Sequence, residues 1–195
     1  MAALDPLACA LFVITSFVLA GVAQTLWLGT EVSQRFAVPL DAARTFRGKP
    51  ILGENKTARG FLVMVPAAGV AFALLHRLVT TADPAWAFGI WPLSSIKYSG
   101  LGALAGLGFM LGEIPNSFLK RRLDIPPGEA PRGALARIAC WLGDRLDSIV
   151  GMLLAMSLVV PTPRRMWLFV LVIGPVIHWL FGGALYFLGG KRRWA

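Results

Sequence analysis

The first feature of this chain that restricts its fold is a run of twenty-three residues, Pro6 to Leu28, without a single charged side chain. A helix of roughly 20 apolar residues crosses about 30 Å of hydrocarbon, and no soluble domain needs such a stretch. A cleaved signal peptide is the competing reading. That reading lacks its basic leader, because Asp5 is the one charge before the run, and the run exceeds the usual ~7–15 apolar residues. The run therefore predicts a membrane span.

The rest of the chain repeats the pattern. Apolar stretches over 61–79, 95–118, 138–160 and 166–189 join the first at 4–28. Together they predict an all-α integral membrane protein of about five transmembrane helices in one domain, residues 1–195. Only 15% of residues are charged, against about 25% in a soluble domain. The third span is interrupted by Gly112, Glu113, Pro115 and Asn116, and the fourth turns apolar only after Asp147. Cys9 and Cys140 are too few for a zinc cluster and read as small buried hydrophobes.

The nineteen Lys and Arg residues fall unevenly between the spans. Grouped by loop, with Arg77, Lys97 and Arg145 counted with the loops their span ends adjoin, they number 0, 6, 2, 6, 2 and 3 from the N-terminus to the tail. The positive-inside rule then puts the N-terminus outside and the C-terminus in the cytoplasm. The two basic loops, 29–60 and 119–145, face the cytoplasm of a prokaryotic inner membrane. Trp27, Trp86, Trp91, Trp141, Trp167 and Trp194 stand near predicted span ends, as interfacial aromatics do. Arg35, Arg132, Arg164, Arg165 and the tail (Lys191, Arg192, Arg193) read as topology and headgroup contacts. The net charge of +9 comes with no aromatic-basic recognition surface, so no nucleic-acid partner is expected. Association as a homodimer is compatible with the sequence.

Topology has no use for acids, yet Glu113, Asp144 and Asp147 stand at the cytoplasmic edges of spans. A carboxylate at membrane depth costs about 2.5–3.5 kcal/mol and is normally paired, metal-bound or functional. On a helix, Glu113, Asn116, Ser117 and Lys120 share one stripe, and Asp144, Asp147, Ser148 and Gly151 share another. Two or three such carboxylates suit Mg²⁺, which keeps waters and uses substrate phosphates. The competing reading is a pair of salt bridges from Glu113 and Asp144 to Lys120 or Arg121. Gly102-xxx-Gly106 and Gly108-xxx-Gly112 predict close helix packing, and Pro115 removes one backbone donor and predicts a kink in the third span.

The first loop carries Phe46-Arg47-Gly48-Lys49-Pro50-Ile51-Leu52-Gly53-Glu54-Asn55-Lys56-Thr57-Ala58-Arg59-Gly60. Its glycines allow close approach of a ligand. Lys49, Lys56, Thr57 and Arg59 offer donors for phosphate oxygens. The spacing is not that of a Walker A loop.

Three segments carry a family resemblance. Gly53-Glu54-Asn55-Lys56-Thr57-Ala58-Arg59-Gly60 resembles the G-[DE]-x-K-T-x-R-G segment of CDP-archaeol synthases. Gly112-Glu113-Ile114-Pro115-Asn116-Ser117-Phe118-Leu119-Lys120-Arg121-Arg122 is similar to their G-D-x-x-x-S-F-x-K-R-R segment. Asp144-Arg145-Leu146-Asp147-Ser148 resembles the D-R-x-D-S signature of bacterial phosphatidate cytidylyltransferases. Glu113 stands where the family usually has Asp, and Ala58 where an aromatic is common.

The resemblance implies that CTP and a membrane lipid phosphate, phosphatidate or its archaeal ether analogue, give a CDP-activated lipid and pyrophosphate with Mg²⁺. Glu113, Asp144 and Asp147 are then the expected metal ligands, and Lys56, Lys120, Asp144 and Asp147 the catalytic set. Lys49, Thr57, Arg59, Asn116, Ser117, Arg121 and Ser148 are the expected phosphate binders. His76 and His178 fall outside these segments. Two alternatives remain open: a CTP-dependent polyprenol kinase, whose products would be a phospholipid and CDP, and a small transporter or anionic-lipid scaffold. No inverted repeat accompanies the polar residues, which gather at one edge.

Overall fold

The structure, a computed structural model, describes residues 4–82 and 89–187. Trp86, Trp194, the basic tail and the last two residues of the predicted fifth span lie outside the described residues.

Five long helices dominate. Helix α1 (Pro6–Leu28) starts where Asp5 caps it, the carboxylate accepting from the Leu7 N–H at 2.8 Å, and Pro6 fills the first turn. A single turn, α2 (Glu31–Gln34), follows. The next connection folds into a two-residue hairpin, β1 (Thr45–Phe46) against antiparallel β2 (Lys49–Pro50). Its tip residues Arg47 and Gly48 have φ of 52° and 75°, the left-handed geometry that suits a tight hairpin. Then come α3 (Ala58–Ala82), α4 (Ser95–Arg122), α5 (Ala134–Ser157) and α6 (Arg164–Phe187).

These bounds refine the sequence reading. Helix α4 runs four residues past the expected end of its span, through the charged Lys120–Arg122 turn, where cations favour a helix C-terminus. Helix α5 begins and ends earlier than expected, with Gly133 before it and Pro161 shortly after it. Among the described residues, three helices are long and apolar enough to cross a membrane: α1, α3, and α6 over Arg164–Gly183. The chain is thus a membrane protein on its apolar helices. Helices α4 and α5 are less apolar because they carry the charged residues.

Each long helix packs mainly against two others, in the order α1, α3, α4, α5, α6 and back to α1. Phe12, Phe72 and Tyr98 form an aromatic centre, with Phe12 edge-on to Phe72 at 5.3 Å and 5.0 Å from Tyr98. The buried Tyr98 hydroxyl donates to the Trp91 carbonyl at 2.7 Å, which satisfies a polar group that would otherwise be costly inside.

Helix α4 approaches its two neighbours through glycines. A Cβ on Gly106 would lie 2.9 Å from the Met64 carbonyl oxygen of α3. One on Gly108 would lie 2.6 Å from the Gly151 carbonyl oxygen of α5, and one on Gly112 would strike the Asp147 carbonyl oxygen. Small residues let helix backbones meet where side chains would hold them apart. This contact sets the two charged helices face to face.

Candidate active site

The polar residues of α4 and α5 meet along the seam those glycines make, and the loop before α3 reaches across to them. Lys56 forms an ion pair with Glu113. The Ser148 hydroxyl lies 3.0 Å from Glu113 Oε1 and 3.1 Å from Asp147 Oδ1, and shares its hydrogen between them. Asn116 Nδ2 donates to Asp147 Oδ2 at 2.9 Å and to Asp144 Oδ1 at 2.7 Å. Lys120 closes the row as an ion pair with Asp144. Seven side chains from three segments thus form one continuous network: Lys56, Glu113, Ser148, Asp147, Asn116, Asp144 and Lys120.

The competing salt-bridge reading is right for Lys120 with Asp144. Glu113 instead takes its cation from the distant loop. Burial favours the neutral amine at Lys56, but the facing Glu113 carboxylate, with Asp147 and Asp144 behind it, outweighs burial. The ammonium pKa therefore sits above the ordinary lysine value. His178 of α6, which the sequence reading set aside, stands within electrostatic reach of Glu113 and 6.0 Å from the Phe109 ring.

Other expected site residues are placed differently. Lys49 is tied to the end of α4, donating to the Arg122 carbonyl at 3.2 Å and pairing with Asp124 at 2.6 Å. Thr57 pairs with Pro39 through its backbone, and Ser117 is buried within α4. Arg59 Nη1 and Arg121 Nε and Nη1 are buried with no hydrogen-bond partner among the described residues. Buried guanidinium donors without acceptors are costly, and an incoming anion would satisfy them.

Two structural residues escaped the sequence reading. Asp41 accepts backbone N–H bonds from Ala43, Leu52 and Gly53. An Asp two residues before a turn amide is the one local signal that could have found it. Arg122 donates to the carbonyls of Phe46, Lys49 and Pro50 and so fastens the hairpin to α4. No local signal reports that contact.

Among the described residues no three His, Cys, Asp or Glu side chains form a metal cage. Glu113, Asp147 and Asp144 are strung in a row, with Ser148 and Asn116 between them. Asp144 and Asp147 nevertheless converge on one amide nitrogen, and a pair of carboxylates is the protein share that Mg²⁺ takes when waters and phosphates complete its shell.

Comparison with known proteins decides the family. The family model "CarS-like: CDP-archaeol synthase" matches residues 10–195. The chain belongs to the CDP-archaeol synthase family. It is 35% identical over 159 residues to the CDP-archaeol synthase of Halobacterium salinarum, covering 78% of this chain and 81% of that one. It is 36% identical to that of Halorubrum lacusprofundi, covering 80% and 82%, and 29% identical to that of Pyrococcus furiosus, covering 72% and 74%. No solved structure matches. A member of the CDP-archaeol synthase family is an enzyme, a CTP-dependent cytidylyltransferase of phospholipid biosynthesis.

Proposed function

We propose that this enzyme transfers the cytidylyl group of CTP to a membrane lipid phosphate, releasing pyrophosphate, and that the Lys56-to-Lys120 network is where it does so. The observation that carries this reading is the network itself: three carboxylates and two lysines from distant segments, linked by Asn116 and Ser148. A phosphate oxygen of the lipid attacks the α-phosphorus of CTP. The bond from that phosphorus to the bridging oxygen of the β-phosphate breaks, and pyrophosphate leaves in line. The chain needs no nucleophile of its own, so its work is positioning and charge stabilisation.

Lys56 and Lys120 bind phosphate oxygens and offset the charge that builds on the leaving pyrophosphate. The unpartnered donors of Arg59 and Arg121 take further phosphate oxygens, and Thr57 and Ser117 orient the ends of their segments. Asn116 and Ser148 hold Asp144, Asp147 and Glu113 in register. Asp144 and Asp147 are the residues that would hold Mg²⁺, with Glu113 at its edge. When bound, the ion supplies electrostatic neutralisation of the triphosphate.

Phosphatidate and its archaeal ether analogue both carry the required headgroup, and the names of the relatives favour the ether lipid. The charge alternation across five helices favours an outside N-terminus and a site at the cytoplasmic edge of a prokaryotic membrane, one domain over 1–195. There CTP arrives from water and the lipid from the inner leaflet.

Purified protein in detergent, given labelled CTP, Mg²⁺ and either lipid phosphate, tests the reading. CDP-lipid with pyrophosphate supports it. A parallel reaction with the lipid alcohol in place of its phosphate that gave a lipid phosphate and CDP would indicate a kinase instead. Full activity in Asp147→Asn and Lys56→Ala would remove the site assignment.

A further inference from the structure

Lys56 sits in a loop, yet it must meet Glu113 and a substrate phosphate within hydrogen-bond reach. What holds it there is visible in the preceding segment. Residues 38–41 run antiparallel to residues 52–58: the Leu40 N–H donates to the Lys56 carbonyl at 2.8 Å, and the Ala58 N–H donates to the Val38 carbonyl at 2.9 Å. The Lys56 N–H in turn donates to the Gly53 carbonyl at 3.1 Å. Lys56 is therefore gripped through its own carbonyl and through Gly53.

Asp41 ties these two stretches together at Gly53. One carboxylate oxygen accepts from the Leu52 N–H at 2.8 Å and the Gly53 N–H at 3.1 Å, and the other from the Ala43 N–H at 3.1 Å. The side chain is buried and, among the described residues, forms no ion pair. All three of these hydrogen bonds come from backbone N–H groups. Ala42 and Ala43 are held at φ of 48° and 58°, a left-handed conformation that a non-glycine residue keeps only where its surroundings impose it. Arg122 fixes the far side of the same loop through three carbonyls.

We propose that Asp41 is a positioning residue for cytidylyl transfer, setting the Gly53 turn and through it the place of Lys56 beside Glu113. This rests on the reading that Lys56 faces the substrate phosphates. Asp41→Asn keeps the volume but turns an amide NH₂ toward backbone N–H donors, so at least one of the three bonds is lost.

The test is steady-state kinetics of Asp41→Asn in detergent, with hydrogen exchange on the same samples. The expected result is a kcat lower by about tenfold or more, since small misplacements of catalytic groups are costly. The KM for lipid phosphate stays unchanged. Faster amide exchange is confined to Ala43 and 52–56, while α5 amides keep their protection. A wild-type kcat overturns the proposal. So does a loss of activity with faster exchange throughout, because Asp41 would then only hold the fold. Should Asp41→Asn not fold, exchange on the unaltered protein decides: protected Leu52 and Gly53 amides support the proposal, and exchange as fast as at the Gly48 tip overturns it. An active Lys56→Ala would refute the site reading, whereas an inactive Lys56→Ala beside a fully active Asp41→Asn would refute this inference alone.

Discussion

A single methyl group on Gly112 should disable the enzyme without altering any charged side chain. The added Cβ would strike the Asp147 carbonyl oxygen and lie 3.0 Å from the Asp147 carbonyl carbon and 3.1 Å from Gly151 Cα. Carbon contacts settle at about 3.5–4.0 Å, so α4 and α5 must part by roughly 0.5–1 Å. The bonds across that seam are Ser148 to Glu113 at 3.0 Å, and Asn116 to Asp147 at 2.9 Å and to Asp144 at 2.7 Å. Lengthening them toward about 4 Å takes them out of hydrogen-bonding range. A misplacement of about 1 Å is worth roughly 10²-fold in rate, and overpacking a close contact costs about 1–3 kcal/mol. Gly112→Ala should therefore lower kcat/KM by about 100-fold and lower the thermal midpoint in detergent. The assay follows labelled CTP into CDP-lipid. Gly100→Ala, on the same helix, is the control, since among the described residues a Cβ there would meet no neighbouring segment within 4 Å. It should keep full activity. A Gly112→Ala enzyme within about threefold of wild type would refute the idea that the glycine seam aligns the two charged helices.

Lys56→Met should abolish transfer and also destabilise the protein, by about 3–5 kcal/mol if the half-buried Glu113 is left unpaired. Lys56→Met with Glu113→Gln should recover the thermal midpoint but not CDP-lipid formation, which separates the structural role of the pair from the chemical one. Asp147→Asn preserves shape and should still lower turnover by about 100-fold or more while raising the Mg²⁺ concentration needed for half-maximal rate. Arg122→Gln should free the hairpin, read as faster protease cleavage near Arg47, with activity reduced less than in Lys56→Met. Because Lys56 is held above its ordinary value of 10.5, the stability from its pair is complete below pH 10.5 and is lost as pH rises through the higher folded value. Asp41 behaves oppositely. Burial raises its carboxyl pKa, but the Leu52, Gly53 and Ala43 N–H groups pull it below 3.8, so its contribution is present above pH 3.8 and lost as pH falls through the lower folded value. Thermal melts across pH check both signs.

Several features were legible in the chain itself because they depend on neighbours a few residues apart. The uncharged run over Pro6–Leu28 dictates a long apolar helix wherever it ends up. The spacing of Glu113, Asn116 and Lys120, and of Asp144, Asp147 and Ser148, puts each set on one helical face, and those residues do meet in the network. The Gly-xxx-Gly repeats announced close packing, which the Gly106, Gly108 and Gly112 contacts bear out. Even the three segments that mark the family are local strings.

Pairing across the sequence was decided only by the tertiary structure. Helical spacing could offer Glu113 no better partner than Lys120 or Arg121, since it ranks only cations within a turn or two. The fold instead brings Lys56 to Glu113: the glycine seam fixes how α4 meets α5, Asp41 braces the first loop from within, and Arg122 fastens that loop to α4. The same physics places Lys49 outside the Lys56-to-Lys120 network and ties it to Asp124. Among the described residues three helices are apolar enough to span, and α4 and α5 fall short because they turn charged faces toward each other, where Asn116 and Ser148 hydrogen-bond to the carboxylates. Short-range periodicity determined the helices and their faces. Long-range contact, with no periodicity to betray it, determined which charges meet.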